Sequence, residues 1–219
     1  LQTIHIICYD RRVEIFEEKE LYRKRIRQRL AEHQKLENLH VQEEAAKQLL
    51  LSSQSYQQAT TVLAYAATHQ ELSLDKFIQQ ALMQGKNLFL PKSYPHNFSM
   101  EFFQLDNKLS LQQQLVCGSY GIREPHSHLP LLAMDAISSL SLILIPGLAF
   151  TRDGKRLGKG KGYYDRFLSH IPFPLPIQKR PILMGVCHSF QVEENLPTEK
   201  TDVKMDYILT PSKIITCNP

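Results

Sequence analysis

From Lys19 to Leu51 the chain has neither proline nor glycine, and Tyr22, Ile26 and Leu30 recur at i, i+4 and i+8. That is the apolar stripe of an amphipathic helix. The spacing predicts one or two helices with a break near His33 to Asn38. A second helical pattern follows: Leu74, Phe77, Ile78, Ala81 and Leu82 share one face, with Ser73 as the expected N-cap and Gly85 where a C′ glycine belongs. Short apolar runs flank it, TVLAYAA from Thr61 and NLFLP from Asn87, and MEFFQL from Met100 adds another. The most apolar run, SLILIPGLAF from Ser141 to Phe150, is continuous rather than alternating. Continuous hydrophobicity predicts a strand buried on both faces, with Pro146 and Gly147 marking its end. ILMGVC from Ile182 and MDYILT from Met205 supply two more strands. Strands alternating with an amphipathic helix predict an α/β domain with parallel pairs.

Composition narrows the function classes. The 219 residues are 42% hydrophobic and 22% charged, an ordinary globular balance that allows a sizeable core in one domain. A formal charge of +4 is too weak to argue for a chain that lives on DNA or anionic lipid. The four cysteines, Cys8, Cys117, Cys187 and Cys217, form no CxxC pair, so neither a zinc site nor a redox motif is indicated, and a reducing cytoplasm is expected. The first stretch, LQTIHIICYDRRVEIFEE, is too short in its apolar part to span a membrane and lacks a convincing cleavage pattern. Residues 1–18 read as an extension before the domain.

What changes the picture is where the cations cluster. One group, Lys19, Arg23 and Arg27, follows i, i+4 spacing on a helical face, where stacked like charges repel. Taken alone it reads as a solvated basic face. The other is GKRLGKGKGYYD, Gly154 to Asp165, with four glycines among Lys155, Arg156, Lys159 and Lys161. Glycine costs entropy on folding and like charges repel, so neither helps the fold by itself. The stretch follows the buried strand and precedes YYDRFLSHI, a predicted helix. Backbone N–H groups at such a junction converge on an anion, and missing Cβ atoms let a phosphate approach. The glycine spacing matches neither GxxxxGK[ST] nor GxGxxG. From spacing alone it is a generic anion loop.

These residues also carry a resemblance. PGLAFTRDGKRLGKGKGYYDRFL resembles the signature of the 5-formyltetrahydrofolate cyclo-ligase (5,10-methenyltetrahydrofolate synthetase) family, PGxAFDxxGxRLGxGxGYYDxxL. KELYR resembles the family's KxxLR, and YAATHQELSLDKFI its YxSxxxEVxTxxxI. GIREP, GVCHSFQ and TDVKMDYILT fall in the expected order, so the resemblance runs from about Lys19 to Thr210. It implies a single three-layer α/β/α domain over residues 19–219, with a mostly parallel central sheet and an N-terminal helical segment. It also implies a cytoplasmic, monomeric ligase that closes 5-formyltetrahydrofolate, polyglutamylated or not, to 5,10-methenyltetrahydrofolate. ATP is the co-substrate, Mg²⁺ the metal, and ADP and phosphate the other products.

Residue by residue, the resemblance assigns Lys19, Arg23 and Arg156 through Tyr164 (Arg156, Leu157, Gly158, Lys159, Gly160, Lys161, Gly162, Tyr163 and Tyr164) to ATP. It assigns Ala66, Glu71 and Lys159 through Tyr163 to the folate, and Asp165 and Asp202 to the metal. Arg156, Lys159, Lys161 and Tyr163 are the expected catalytic set, since phosphoryl transfer needs positioning and charge neutralisation above all. A carboxylate such as Glu71 suits the paired N–H donors of a pterin. Read without the resemblance, Asp165 is equally an acidic residue favoured by a helix N-terminus, Glu71 an exposed helix-start glutamate, and Tyr164 and Phe150 core residues. The chain departs from the pattern at Tyr22 for Leu, Thr151 for Asp, and Thr201 where bacterial relatives carry His. Two rival readings are a nucleic-acid-binding module using the basic helix and loop as backbone contacts, and a silent relative that binds folate without turnover.

Overall fold

The computed structural model describes residues 2–34, 38–171, 180–197, 199 and 202–217, with side chains from Val13 onward. Thr201 lies outside the described residues, as does the proline-rich IPFPLP after Ile171. Helix α1 (Gln2–His33) runs without a break through residue 18, and α2 (Leu39–Ser52) follows. The expected interruption near residues 33–38 therefore falls between the two helices. Ser53 ends α2 and opens α3 (Gln54–Gln58), its hydroxyl accepting from the Tyr56 N–H at 3.3 Å.

Strand β1 (Thr61–Leu63) is followed by α4 (Asp75–Met83) and by the hairpin of β2 (Asn87–Tyr94) and β3 (Ser99–Gln104). Gly85 takes φ +75° after α4, the left-handed conformation that ends helices at glycine. The N-terminus differs by one residue from expectation: Leu74 is the cap, and Ser73, just outside, accepts from the Asp75 N–H at 3.3 Å. A short helix α5 (Leu111–Gln114) leads into a small antiparallel pair, β4 (Leu115–Cys117) and β5 (Arg123–Pro125). The continuous apolar run becomes β6 (Ser141–Pro146) and, after Gly147, β7 (Ala149–Thr151), which turns through Gly154 to β8 (Arg156–Leu157). Then come α6 (Tyr163–Ser169), β9 (Ile182–Val186), β10 (Val192–Glu193), β11 (Tyr207–Leu209) and β12 (Ile214–Thr216).

The main sheet has the order β12-β11-β9-β6-β1-β2-β3. Its five inner strands are parallel, and both edges are closed by antiparallel neighbours. Strand β6 sits in the middle, and Leu142 through Ile145 are fully buried, as continuous hydrophobicity requires. One face of the sheet carries α2, α3 and α4, whose Leu50, Tyr56, Phe77 and Ile78 pack on Val62, Leu88, Leu142 and Leu144. The other carries α6, whose Phe167 and Leu168 pack with Phe102, Ile143, Ile145 and Phe150. These are three layers. Gly185 in β9 makes room for this packing, since a Cβ there would meet the Phe150 ring at 2.4 Å. Helix α1 docks separately, Ile26 and Leu30 against Leu148, Leu157 and Leu196, with Arg25 and Arg29 both paired to Glu193 of β10.

From β1 the chain proceeds to β2 on one side, then returns to β6 on the other. The carboxyl ends of β1 and β6 thus flank a topological switch point, where open α/β sheets leave a crevice for ligands.

Candidate functional site

The crevice is a pocket of about 400 Å³. Tyr65 and Ala66 enter it directly after β1, Pro91 and Ser93 from β2, and Pro146 from the end of β6. Its opposite wall is the glycine loop between β8 and α6: Arg156, Gly158, Lys159, Lys161, Gly162, Tyr163, Tyr164 and Asp165 all line it. Gly160 and Gly162 adopt φ +100° and +67°, a region that β-carbons disfavour, so these two glycines hold the loop's curvature.

Helix α1 lies behind the loop. The Arg23 guanidinium, 8% exposed, donates Nε to the Gly158 carbonyl at 3.1 Å and Nη1 to Glu20 at 2.7 Å. Arg27 donates to the Lys159 carbonyl at 3.4 Å. Arg23 and Arg27 therefore bind carbonyls of the loop, leaving its N–H groups to other partners, and Arg27 also lines the pocket. Lys19 is held by Glu199 at 2.9 Å and Asp202 at 3.2 Å. Asp202 also accepts from the Glu199 N–H.

On the pocket side, Lys159 reaches across to the Glu71 carboxylate at 2.7 Å and donates to the Thr68 hydroxyl at 3.3 Å. The other oxygen of Glu71 accepts from the N–H and hydroxyl of Thr68, at 2.8 and 3.0 Å. Arg156 forms an ion pair with Asp165 and donates to the Pro146 carbonyl. The Lys161 ammonium stands 3.9 Å from the Tyr120 ring centroid, and the Tyr120 and Tyr163 hydroxyls are 3.2 Å apart. Burial, then its hydrogen bond with Tyr120, pushes the Tyr163 phenol up to about 12, while the Tyr163 hydrogen bond and then Lys161 pull Tyr120 down. Tyr164 is held neutral far above the usual phenol range by burial, and among the described residues its hydroxyl has no hydrogen-bond partner.

A pocket at the switch point, walled by a cationic glycine loop and by two carboxylates and aromatic rings, is built for a polyanion beside a flat polar ring system. Comparison with known proteins identifies the family. The profile of the 5-formyltetrahydrofolate cyclo-ligase family matches residues 15–211. The chain belongs to that family. A probable 5-formyltetrahydrofolate cyclo-ligase of Caenorhabditis elegans is 32% identical over 170 residues, covering 77% of this chain and 81% of the relative. The Escherichia coli K12 5-formyltetrahydrofolate cyclo-ligase is also 32% identical, over 71% of this chain and 80% of its own. The solution structure of Aquifex aeolicus 5,10-methenyltetrahydrofolate synthetase superposes with a TM-score of 0.72 at 26% identity, covering 92% of this chain and 93% of that one.

Within this cyclo-ligase fold, the residues assigned from the sequence divide into two groups. Ala66, Glu71, Arg156, Gly158, Lys159, Lys161, Gly162, Tyr163, Tyr164 and Asp165 share the pocket. Lys19, Arg23, Leu157, Gly160 and Asp202 do not line it: Leu157 is buried beneath the loop, a Cβ on Gly160 would stand 3.5 Å from Arg23, and Lys19 and Asp202 pair with each other. The departure at Thr151 has a local account, because its hydroxyl accepts from the Lys155 N–H at 3.1 Å and donates to Asp153, closing the turn before the loop. Sequence reasoning missed Tyr120, Arg123 and Glu124, which enter the pocket from the β4–β5 hairpin. GIREP and the neighbouring tyrosine carried the only signal, and nothing local says which of them faces inward.

Among the described residues no cluster of three His, Cys, Asp or Glu side chains forms a ready metal cage, and no helix is long and apolar enough to cross a membrane. Mg²⁺ that travels with a nucleotide needs only one or two carboxylates beside the phosphate oxygens. Asp165, 58% exposed at the pocket rim, fits that lesser demand.

Proposed function

We propose that this chain couples ATP cleavage to closure of 5-formyltetrahydrofolate, giving 5,10-methenyltetrahydrofolate, ADP and phosphate. The observation that carries the reading is Lys159, whose ammonium bridges the glycine loop to Glu71 across the pocket. A triphosphate seated on the loop competes for this ammonium. Its withdrawal uncovers one Glu71 oxygen for the N–H donors of a pterin, while Thr68 keeps the other oriented.

A formamide oxygen is a weak nucleophile. Its attack on the terminal phosphorus gives an imidate phosphate, in which the formyl carbon bears a good leaving group. Arg156 and Lys161 neutralise the transferred charge, and Tyr163 and Tyr120 supply an aromatic wall for the ring system. N10 then attacks the formyl carbon and phosphate departs. Asp165 would hold the magnesium that accompanies ATP, which supplies charge neutralisation at the phosphates. Arg23 supports the nucleotide from behind by fixing the Gly158 carbonyl, whereas Lys19 is held outside the pocket by Glu199 and Asp202.

The cations converge on a concave site, which favours a small polyanion over a nucleic-acid backbone. Cys117, Cys187 and Cys217 are free thiols, in keeping with a cytoplasmic setting.

The test is turnover of MgATP and 5-formyltetrahydrofolate, followed by the near-ultraviolet absorbance of the methenyl product. ATP-dependent product is expected, and Lys161→Ala should reduce kcat by roughly 10²- to 10³-fold, the usual loss for a transition-state charge partner. No product from folded wild-type protein would refute the reading.

A further inference from the structure

Glu124 is 3% exposed, yet its carboxylate lines the pocket. Its one hydrogen bond is from the Ser93 N–H at 3.1 Å, and among the described residues no cation pairs with it. The adjacent arginine does not serve it: Arg123, which also lines the pocket, grips both oxygens of Asp75 at 2.7 and 2.9 Å. Room for this carboxylate is made by Gly118, where a Cβ would stand 2.1 Å from the second Glu124 oxygen. Gly118 has φ −106°, open to any residue, so the glycine answers a need for space rather than for backbone freedom. A buried carboxylate is normally paired or fully hydrogen-bonded. This one keeps open acceptor capacity toward the pocket.

Of the other carboxylates on the pocket, Asp165 is paired with Arg156, and Glu71 is saturated by Thr68 and Lys159 and lies toward Tyr65 and Tyr164. Glu124 lies toward Tyr163. The pocket therefore has two carboxylate ends, one countered by a lysine and one not. The reaction proposed above makes positive charge on the folate: N10 becomes cationic as it bonds to the formyl carbon, and the product is an amidinium delocalised over N5, carbon and N10. A fixed negative charge without its own cation is complementary to that change.

We propose that Glu124 steadies the cationic N10 as it forms in ring closure and then accepts its proton. Once the N10–carbon bond has formed, the N10 proton passes to the Glu124 carboxylate. The carbon–oxygen bond then breaks, with phosphate leaving with the electron pair. The inference rests on the proposed cyclo-ligase reaction.

It separates two steps that an activity assay merges. In Glu124→Gln, the amide oxygen still accepts from Ser93, the shape is kept, and the base is lost. A rapid-mix single turnover with MgATP and 5-formyltetrahydrofolate should then show ADP forming at close to the wild-type rate, with the methenyl absorbance delayed by roughly 10²-fold or more. Affinities for 5-formyltetrahydrofolate and ATP should stay within about threefold of wild type, as expected when an interaction matters only beyond the ground state. Gly118→Ala keeps the carboxylate but pushes it from its seat, and should delay methenyl formation in the same selective way. Methenyl formation within threefold of wild type in Glu124→Gln, or ADP and methenyl slowed equally in both variants, overturns the assignment. If wild-type protein forms no methenyl product, the underlying reaction fails first and this inference with it.

Discussion

At the scale of single residues, the same side chain types take different roles according to what faces them. Of the cations that repel on paper, Arg23 and Arg27 are hydrogen-bonded to loop carbonyls, Arg23 is also paired with Glu20, Lys19 with two carboxylates and Arg156 with Asp165. Lys161 rests on an aromatic face instead of a carboxylate. Its charge is therefore among the most readily redirected to a phosphate. Tyr164 makes the opposite case. Among the described residues its hydroxyl is buried without a partner, which costs about 1–3 kcal/mol relative to a satisfied or apolar group. Tyr164→Phe should leave the ligand-free thermal midpoint unchanged or raised. A stability loss beyond about 1 kcal/mol in thermal or urea denaturation would show that the hydroxyl has a structural role after all.

At the scale of elements, the link between α1, α2 and the segment after β9 is pH-sensitive. His188 is 5% exposed, its ring lies 4.5 Å from that of His33, and both imidazoles contact the Gln42 side-chain oxygen at 3.3 Å. Burial first, and then the neighbouring His33, pull the His188 pKa down to about 4. The unfolded chain takes up this proton near pH 6.5, well before the folded protein does. Stability from this site is therefore full above about pH 6.5 and is lost as pH falls toward 4, by something on the order of 2 kcal/mol. Denaturation at pH 7 and pH 5 should show a smaller decline for His188→Gln than for wild type. Equal declines would contradict a neutral buried histidine.

The elements also mark what could be read from the chain in advance. Strands β2, β6 and β9 followed from apolar runs and helix α4 from apolar periodicity, because each buries residues whose partners are of the same kind. The glycine loop followed from composition, since cations on a glycine backbone have few uses other than an anion. Strand β1 was drawn too long: ladder pairing stops at Leu63, and Tyr65 and Ala66 leave the sheet to line the pocket. The clamp of Arg23 and Arg27 on loop carbonyls, more than 130 residues away in sequence, was not legible. Neither was the inward turn of Glu124. Both depend on which surfaces meet after folding, and a glutamate next to an arginine in GIREP reads as an exposed ion pair until β5 pairs with β4 and Arg123 is drawn to α4.

At the scale of the whole molecule, the sheet order explains why distant segments make one site. The switch point between β1 and β6 opens the crevice, β2 and the β4–β5 hairpin wall one side, and the loop held by α1 walls the other. The cationic glycine loop and the wall that carries Glu71 and Glu124 thus face each other across a single pocket, the arrangement that the proposed passage of a phosphoryl group to a formyl oxygen requires. The central claim is that transfer. It is tested most directly by supplying 5-formyltetrahydrofolate labelled with oxygen-18 in the formyl group, running turnover with MgATP, and locating the label by mass spectrometry. Phosphorylation of the formyl oxygen predicts that the label leaves in inorganic phosphate, one atom for each methenyl product formed. Label released as water, with unlabelled phosphate, would contradict it.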